Sequence, residues 1–257
     1  MTVDYHTHTN YSDGSVPMSM IRAAEEAGLD GIGFADHCVV TTDEWLQTVK
    51  RAWGFNLDAT YERRREGLAA LRDHADVRLF DAVEMDYKPR DESEVAVFLD
   101  DAGFDYAVGS VHELDGTNVH NEGHFVDKSD AERERLVDAY FDDLVALVES
   151  ELFDVAAHLD LVERNEALRG LATESQYRRV AAALEASSTV PELNAGRVRD
   201  DDGEIHPVPG FMDVLLEYDV EFVLGSDAHE PEDIDPCVAA LEKFVATHGV
   251  PTTELSL

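Results

Sequence analysis

Apolar and polar residues along this chain follow two alternating rhythms. Short stretches with period two, at residues 2–8, 31–37, 77–85, 106–112, 155–158, 190–194 and 221–225, predict strands. Between them, apolar positions three and four apart predict helices near 17–27, 61–74, 93–101, 130–149, 173–187, 210–218 and 236–247. Ser15 is placed to cap the first helix, with Pro17 in its first turn and Gly28 to end it. The helix after Lys128 carries the clearest signature. Ser129-Asp-Ala-Glu132 reads as a capping box, and Leu136, Tyr140, Leu144, Leu147 and Val148 share one face.

Seven strands, each followed by a helix, specify an α/β fold with a parallel sheet, and closing that sheet leaves no exposed edge. The expected architecture is a single-domain distorted (β/α)7 barrel over residues 1–257. No internal repeat, low-complexity run or linker interrupts it.

Composition narrows the function classes. No stretch approaches the ~20 apolar residues of a membrane span, and the first residues carry no basic-then-apolar leader. Cys38 and Cys237 read as two reduced thiols rather than a disulfide scaffold, which points to the cytoplasm. Lys and Arg number 20 against 56 Asp and Glu, a net charge of -36 that would repel nucleic acid and anionic lipid. The acids recur in every segment and Lys is rare, as on a protein adapted to a salt-loaded (halophilic) cytoplasm. Nothing in the sequence specifies an oligomeric state.

The candidate chemistry lies in the histidines. His6 and His8 close the first predicted strand, His37 the second, His112 the fourth and His158 the fifth, and His229 follows the last. In a parallel barrel the C-terminal strand ends converge on one rim. Residues two apart on a strand share a face, so His6 and His8 form a chelating pair there. The carboxylates Asp13, Asp36, Glu84 and Asp227 fall on the same rim. So many polar groups need partners, and a multinuclear metal site supplies them. Mixed imidazole and carboxylate donors suit two or three divalent ions of Zn, Mn or Fe. His74 and His248 are expected in solvent, whereas His120, His124 and His206 sit in rim loops that can face a substrate.

In order, His6-Thr-His8 with Ser12-Asp-Gly14, Asp36-His37, Glu84, Ser110-Val-His112, His158 and Ser226-Asp-Ala-His229 resemble the polymerase-and-histidinol-phosphatase (PHP) family over essentially the whole chain. Glu84-Met-Asp86-Tyr, Gly109-Ser-Val-His112, Phe153-Asp before His158-Leu-Asp-Leu161, and Glu192-Leu-Asn194 with Gly196 are similar to its histidinol-phosphatase branch. The resemblance implies three metals at the rim. His6, His8, Glu84 and Asp227 would hold the first. Glu84 would bridge to the second, completed by His112 and His158. His37 and His229 would hold the third, with Asp13 as the further ligand. Asp36 is expected to act catalytically or to orient a ligand. Arg164 and Arg197 are placed to grip phosphate, with Arg199 competing for the latter role, and Asn194 and His206 complete the expected substrate contacts.

The implied activity is metal-dependent phosphomonoester hydrolysis, with L-histidinol phosphate as substrate and L-histidinol as product in histidine biosynthesis. The alternatives are a PHP phosphoesterase for nucleotides or other small phosphates, and a nucleic-acid-processing module. The absence of a basic stripe counts against the latter. A non-enzymatic relative would have lost ligands, and none is missing from this sequence.

Overall fold

The computed structural model describes residues 1–199 and 203–257. Its strands are β1 (Val3–Thr7), β2 (Gly31–Cys38), β3 (Arg78–Asp86), β4 (Tyr106–Ser110), β5 (Glu113–Leu114), β6 (Thr117–Asn118), β7 (Val155–Ala156), β8 (Val190–Arg197), β9 (Glu204–His206) and β10 (Val223–Gly225). Its helices are α1 (Pro17–Glu26), α2 (Glu44–Trp53), α3 (Tyr61–Arg72), α4 (Glu92–Ala102), α5 (Glu122–Val126), α6 (Asp130–Glu149), α7 (Glu174–Ala186), α8 (Pro209–Leu215) and α9 (Pro231–His248).

Seven strands pair in parallel in the order β1-β2-β3-β4-β7-β8-β10, flanked by helices, as the alternation of periods predicts. The ends meet where His8 N donates to Ala228 O at 2.9 Å and Asp227 N to His6 O at 2.8 Å, so the barrel is nearly closed. Its lower interior is filled by Val3, Tyr5, Ala35, Ala82, Tyr106, Val108, Val155 and Val223. Burying these apolar side chains provides most of the drive to close the sheet. Among the described residues, no helix is long and apolar enough to cross a membrane. Cys38 and Cys237 are buried and unpaired.

An irregularity in β1 positions the histidines. Asp4 pairs with Ile32 but Thr7 with Phe34, so β1 uses three residues where β2 uses two. Val3 and Tyr5 face the lumen, and strict alternation would then turn His6 outward with Asp4. The bulge returns His6 and His8 to the inside. Further round, the parallel register sets His37 of β2 directly beside Glu84 of β3.

Several local expectations are corrected. Ser15 does not cap α1; its hydroxyl donates to Glu230 instead, tying the first loop to the start of α9. Pro231 opens α9, five residues before the expected start at 236, and Pro236 lies inside the helix. Helix α2 escaped the periodic reading because its apolar face is short. It is capped by Asp43 and anchored by buried Lys50, whose Nζ donates to Val39 O at 2.6 Å and Asp58 Oδ2 at 2.5 Å. The capping box of α6 is present, and Tyr140 on its buried face donates to His158 O at 3.1 Å.

Candidate metal centre

Glu84, only 1% exposed, stands at the middle of the rim with histidines on all sides. Its Oε2 lies 3.4 Å from His6 Nε2, 3.7 Å from His8 Nε2 and 2.7 Å from His37 Nδ1. Its Oε1 lies 2.9 Å from His158 Nε2 and 3.4 Å from His112 Nε2. Asp227 Oδ1 approaches His8 Nε2 at 3.2 Å and His6 Nε2 at 3.8 Å. A further cluster forms round Asp13, whose oxygens lie 3.4 Å from His229 Nε2 and 3.8 Å from both His8 Nδ1 and His37 Nε2.

Three donor groups result: His6, His8 and Asp227; His37, Glu84 and His112; and His8, Asp13, His37 and His229. They share members, since His8 and His37 each turn one ring nitrogen to Asp13 and the other towards Glu84. The residues fit divalent cations. His6 Nε2, His8 Nδ1 and His158 Nδ1 are buried and, among the described residues, have no hydrogen-bond partner. Buried polar atoms without a partner are costly, and a cation offers these lone pairs one.

Around this shell, other groups fix the imidazoles. His6 Nδ1 donates to Glu192 Oε1 at 2.8 Å, which leaves Nε2 as the free donor atom. Glu192 also accepts from His158 N at 3.0 Å and from Asn194 Nδ2 at 2.9 Å. His112 Nδ1 contacts Asp86, and His229 Nδ1 donates to Asp227 O at 2.9 Å. His158 and Asp227 sit at φ of 28° and 53°, a left-handed conformation unusual outside glycine. Such strain costs on the order of 1–3 kcal/mol per residue and collects at functional sites.

Electrostatics reinforce the geometry. Burial opposes protonation of His6, but Glu192, Glu84 and Asp227 outweigh it and raise its pKa well above the usual value. His37 is likewise raised to about 9 by Glu84 and Asp13 against the cost of burial. His8, buried beside His229 and His37, falls to about 4. Burial would raise Glu84, yet His37, His112 and His6 pull it well below the carboxylate range. The acids that hold protons on His6 and His37 are the same charges that attract divalent cations.

The expected site residues separate into two sets. His6, His8, Asp13, His37, Glu84, His112, His158, Asp227 and His229 converge as described. Arg164, on the turn Leu161–Arg164, also reaches the site: Nη2 donates to Asn194 Oδ1 at 2.5 Å and Nη1 to Asp227 Oδ2 at 3.5 Å. Five other expected residues are not on the cavity wall. Asp36 is not on the cavity wall; it is fully buried, accepting from Arg64 Nη1 at 2.7 Å, Thr9 N at 2.6 Å and Ser12 Oγ at 2.9 Å. It therefore holds the first loop rather than touching reacting atoms. His206 is buried behind the site, its Nδ1 3.0 Å from Asp160 Oδ1. Asn194 is buried under Arg164 rather than exposed to the cavity. Arg197 is half-buried outside the cavity wall, and Arg199 pairs with Asp233.

The rim opens into a cavity of about 610 Å³. Asp13, His37, Glu84, His112, His158, Asp227, His229 and Arg164 line its floor. Val39, Leu46, Val49, Trp53 and Phe55, from α2 and its flanks, make an apolar wall. Another part of the wall consists of Glu113 and Asn118 from the β5–β6 hairpin, followed by His120 and Asn121. His124 is not on the cavity wall, and His74 and His248 are exposed as expected.

Sequence reasoning assigned no role to Glu192, Asp86, Arg64 or the hairpin. Glu192 lies two residues before Asn194 and so shares its face, a period-two signal that was available. The hairpin was marked by Asp115-Gly116, whose φ values of 52° and 73° make a two-residue turn of the kind this dipeptide favours.

A family model described as PHP domain matches residues 4–193. The chain belongs to the PHP domain family. Asp227 and His229 lie beyond the matched segment, yet they complete two of the three donor groups. A relative in Deinococcus radiodurans, named probable histidinol-phosphatase, is 31% identical over 242 residues, 90% of this chain and 87% of that protein. The histidinol-phosphatase of Lactococcus lactis is 25% identical over 241 residues, 88% of this chain and 84% of that one. Among solved structures, histidinol phosphate phosphatase from Lactococcus lactis, complexed with zinc, L-histidinol and phosphate, aligns with a TM-score of 0.75 at 21% identity. The alignment covers 98% of this chain and 95% of that chain, and the PHP barrel is the same fold.

Proposed function

We propose that this protein is a metal-dependent phosphomonoesterase that hydrolyses L-histidinol phosphate to L-histidinol and phosphate in histidine biosynthesis. The observation that carries the reading is one cavity floor bearing three donor groups, centred on buried Glu84, with Arg164 beside them. The names of the relatives supply the substrate. Two or three divalent ions of Zn, Mn or Fe would be held by His6, His8, Glu84 and Asp227, by Glu84, His112 and His158, and by Asp13, His37 and His229. Bound there, such ions neutralise phosphoryl oxygens and supply hydroxide near neutral pH.

The chain's own residues do the rest. Glu192 and Asp86 hold His6 and His112 so that each presents Nε2 to the floor. Asn194 and Asp227 fix the guanidinium of Arg164, whose side chain is 5% exposed. Arg164 lines the cavity floor, where its charge is placed to attract a phosphoryl oxygen. In the hydrolysis a water oxygen bonds to phosphorus, the P–O bond to the alcohol breaks, and the alcohol leaves protonated. Asp36 and Arg64 act beneath by setting the loop that carries Asp13.

The same reading takes residues 1–257 as one domain in the cytoplasm of a salt-loaded cell, acting on a small phosphate ester rather than on nucleic acid or a membrane. The buried, unpaired thiols and the net charge of -36 support it. A phosphate-release panel with Mn- or Zn-loaded protein tests the proposal. The expected result is the highest kcat/KM on L-histidinol phosphate; a higher value on a mononucleotide or a sugar phosphate would overturn the substrate and leave only the phosphoesterase.

A further inference from the structure

The hairpin wall of the cavity carries a charge that the metal floor does not use. Glu113 follows His112 directly, and the hairpin register sets it opposite Asn118, so both side chains face the cavity from a two-strand ribbon. The ribbon is held in place, since Val119 N donates to His112 O at 2.8 Å and Lys88 Nζ donates to the main-chain oxygen of Glu113. The Glu113 carboxylate itself is half-buried. Lys88, Arg90 and His112 act on it as nearby cations, but among the described residues none closes an ion pair with it and it accepts no hydrogen bond, and burial with the neighbouring Asp86 pushes its pKa above the ordinary value. The same cavity is lined by Phe55, 4.5 Å from the His37 ring, and by Trp53, which is 69% exposed. These aromatic faces suit a flat, uncharged or weakly charged ring.

The three walls therefore differ in chemistry: a cationic and metal-donor floor, an apolar aromatic side, and a side bearing a half-buried carboxylate that no cation contacts within ion-pair distance. We propose that Glu113 is a specificity-determining residue that binds the ammonium of the alcohol part of the substrate, while the α2 wall with Phe55 and Trp53 takes its ring. This rests on the phosphatase reading and extends it: the cavity selects phosphate esters of amino alcohols over esters of the same alcohol without the amine. A half-buried carboxylate facing a cation gains more than an exposed pair, because the cavity walls exclude part of the screening water. Nothing in the floor duplicates the role, since Asp86 is engaged by His112 and Asp227 by His8 and Arg164.

The test compares L-histidinol phosphate with 3-(imidazol-4-yl)propyl phosphate, which differs only in lacking the amine, using metal-loaded wild type and Glu113→Gln. Wild type is expected to favour the aminated ester in kcat/KM, chiefly through KM. Glu113→Gln should shrink that preference on the order of tenfold to a hundredfold, as expected for losing one charge-assisted hydrogen bond. A wild type that treats both esters alike, or a variant that loses both activities in equal proportion, overturns the proposal. Calorimetry with the two product alcohols keeps the question separate from turnover. If neither ester is hydrolysed while another phosphate is, the substrate assignment falls. Binding of L-histidinol over its deaminated analogue by wild type but not by Glu113→Gln would still establish the amine subsite, and equal binding would remove it.

Discussion

Gly225→Ala should damage the metal centre without replacing any ligand. A Cβ at this position on β10 would lie 1.9 Å from Glu192 Oε1, and 2.9 Å from both Glu192 Cδ and His6 Cβ. The carboxylate would have to retreat to about 3.4 Å, the onset of ordinary contact. It has little room to do so, because it is bonded at once to His6 Nδ1, His158 N and Asn194 Nδ2. Overpacking of this kind costs about 1–3 kcal/mol, which for a domain of this size lowers Tm by roughly 2–12 °C. Releasing His6 from its orienting carboxylate should weaken metal binding about 10–100-fold. Thermal melting of the metal-free protein measures the first effect and competition with a zinc chelator the second. Gly210→Ala is the control, since a Cβ there meets nothing within 4 Å. Wild-type metal affinity in Gly225→Ala, whatever its Tm, would refute the idea that Glu192 holds His6 for coordination.

Glu84→Gln should reduce activity more than any single histidine substitution, because that side chain faces His6, His8, His37, His112 and His158 at once; metal content and kcat of the purified variants decide it. Arg64→Met should cost about 3–5 kcal/mol in a denaturant titration, since it leaves the buried carboxylates Asp36 and Asp81 without their shared cation. With 56 acids and 20 bases, Tm should rise from 0.1 M to 1 M KCl as the Debye length falls from about 10 Å to about 3 Å. A flat or falling Tm would mean that the surface charge answers to something other than salt.

The barrel was legible because both of its periods are long-lived in sequence, and because the ligands fall where one period gives way to the other. His37, Glu84 and His112 each end a predicted strand, so their convergence follows from parallel pairing alone. What stayed hidden depends on exact register. The bulge that turns His6 inward leaves no mark in residue type, and a regular strand would have placed the same His-x-His pair on the outer face. Asp36 shows why sequence left two roles open, catalytic or orienting, where burial favours the second. An acid beside a ligand looks catalytic in sequence, but its value depends on burial and on Arg64, 28 residues away on α3. His206 was misread for a similar reason, since antiparallel β9 folds back on β8 and carries the ring behind the site.

Closure of the barrel and the metal centre are mechanically one structure. The seam between β1 and β10 consists of two main-chain hydrogen bonds, from Asp227 N to His6 O and from His8 N to Ala228 O, with Ser226 N donating to the Asp4 carboxylate below. Strand β10 has only three residues, and it pairs regularly with β8 on its other side. The side chains of His6, His8 and Asp227 form one donor group across this same seam. A cation held by all three would cross-link two strands that the backbone joins weakly, so binding should stabilise the closed barrel in addition to filling the site. Mass action gives about 2.7 kcal/mol at a free metal concentration one hundred times Kd. Hydrogen exchange then locates the gain. The amides of His8 and Asp227 should become more protected on addition of Zn or Mn, while the Leu144 and Leu147 amides in α6, remote from the seam, should change only with global stability. Equal protection at all four positions would mean that the metal stabilises the fold as a whole and that the seam is not its point of action.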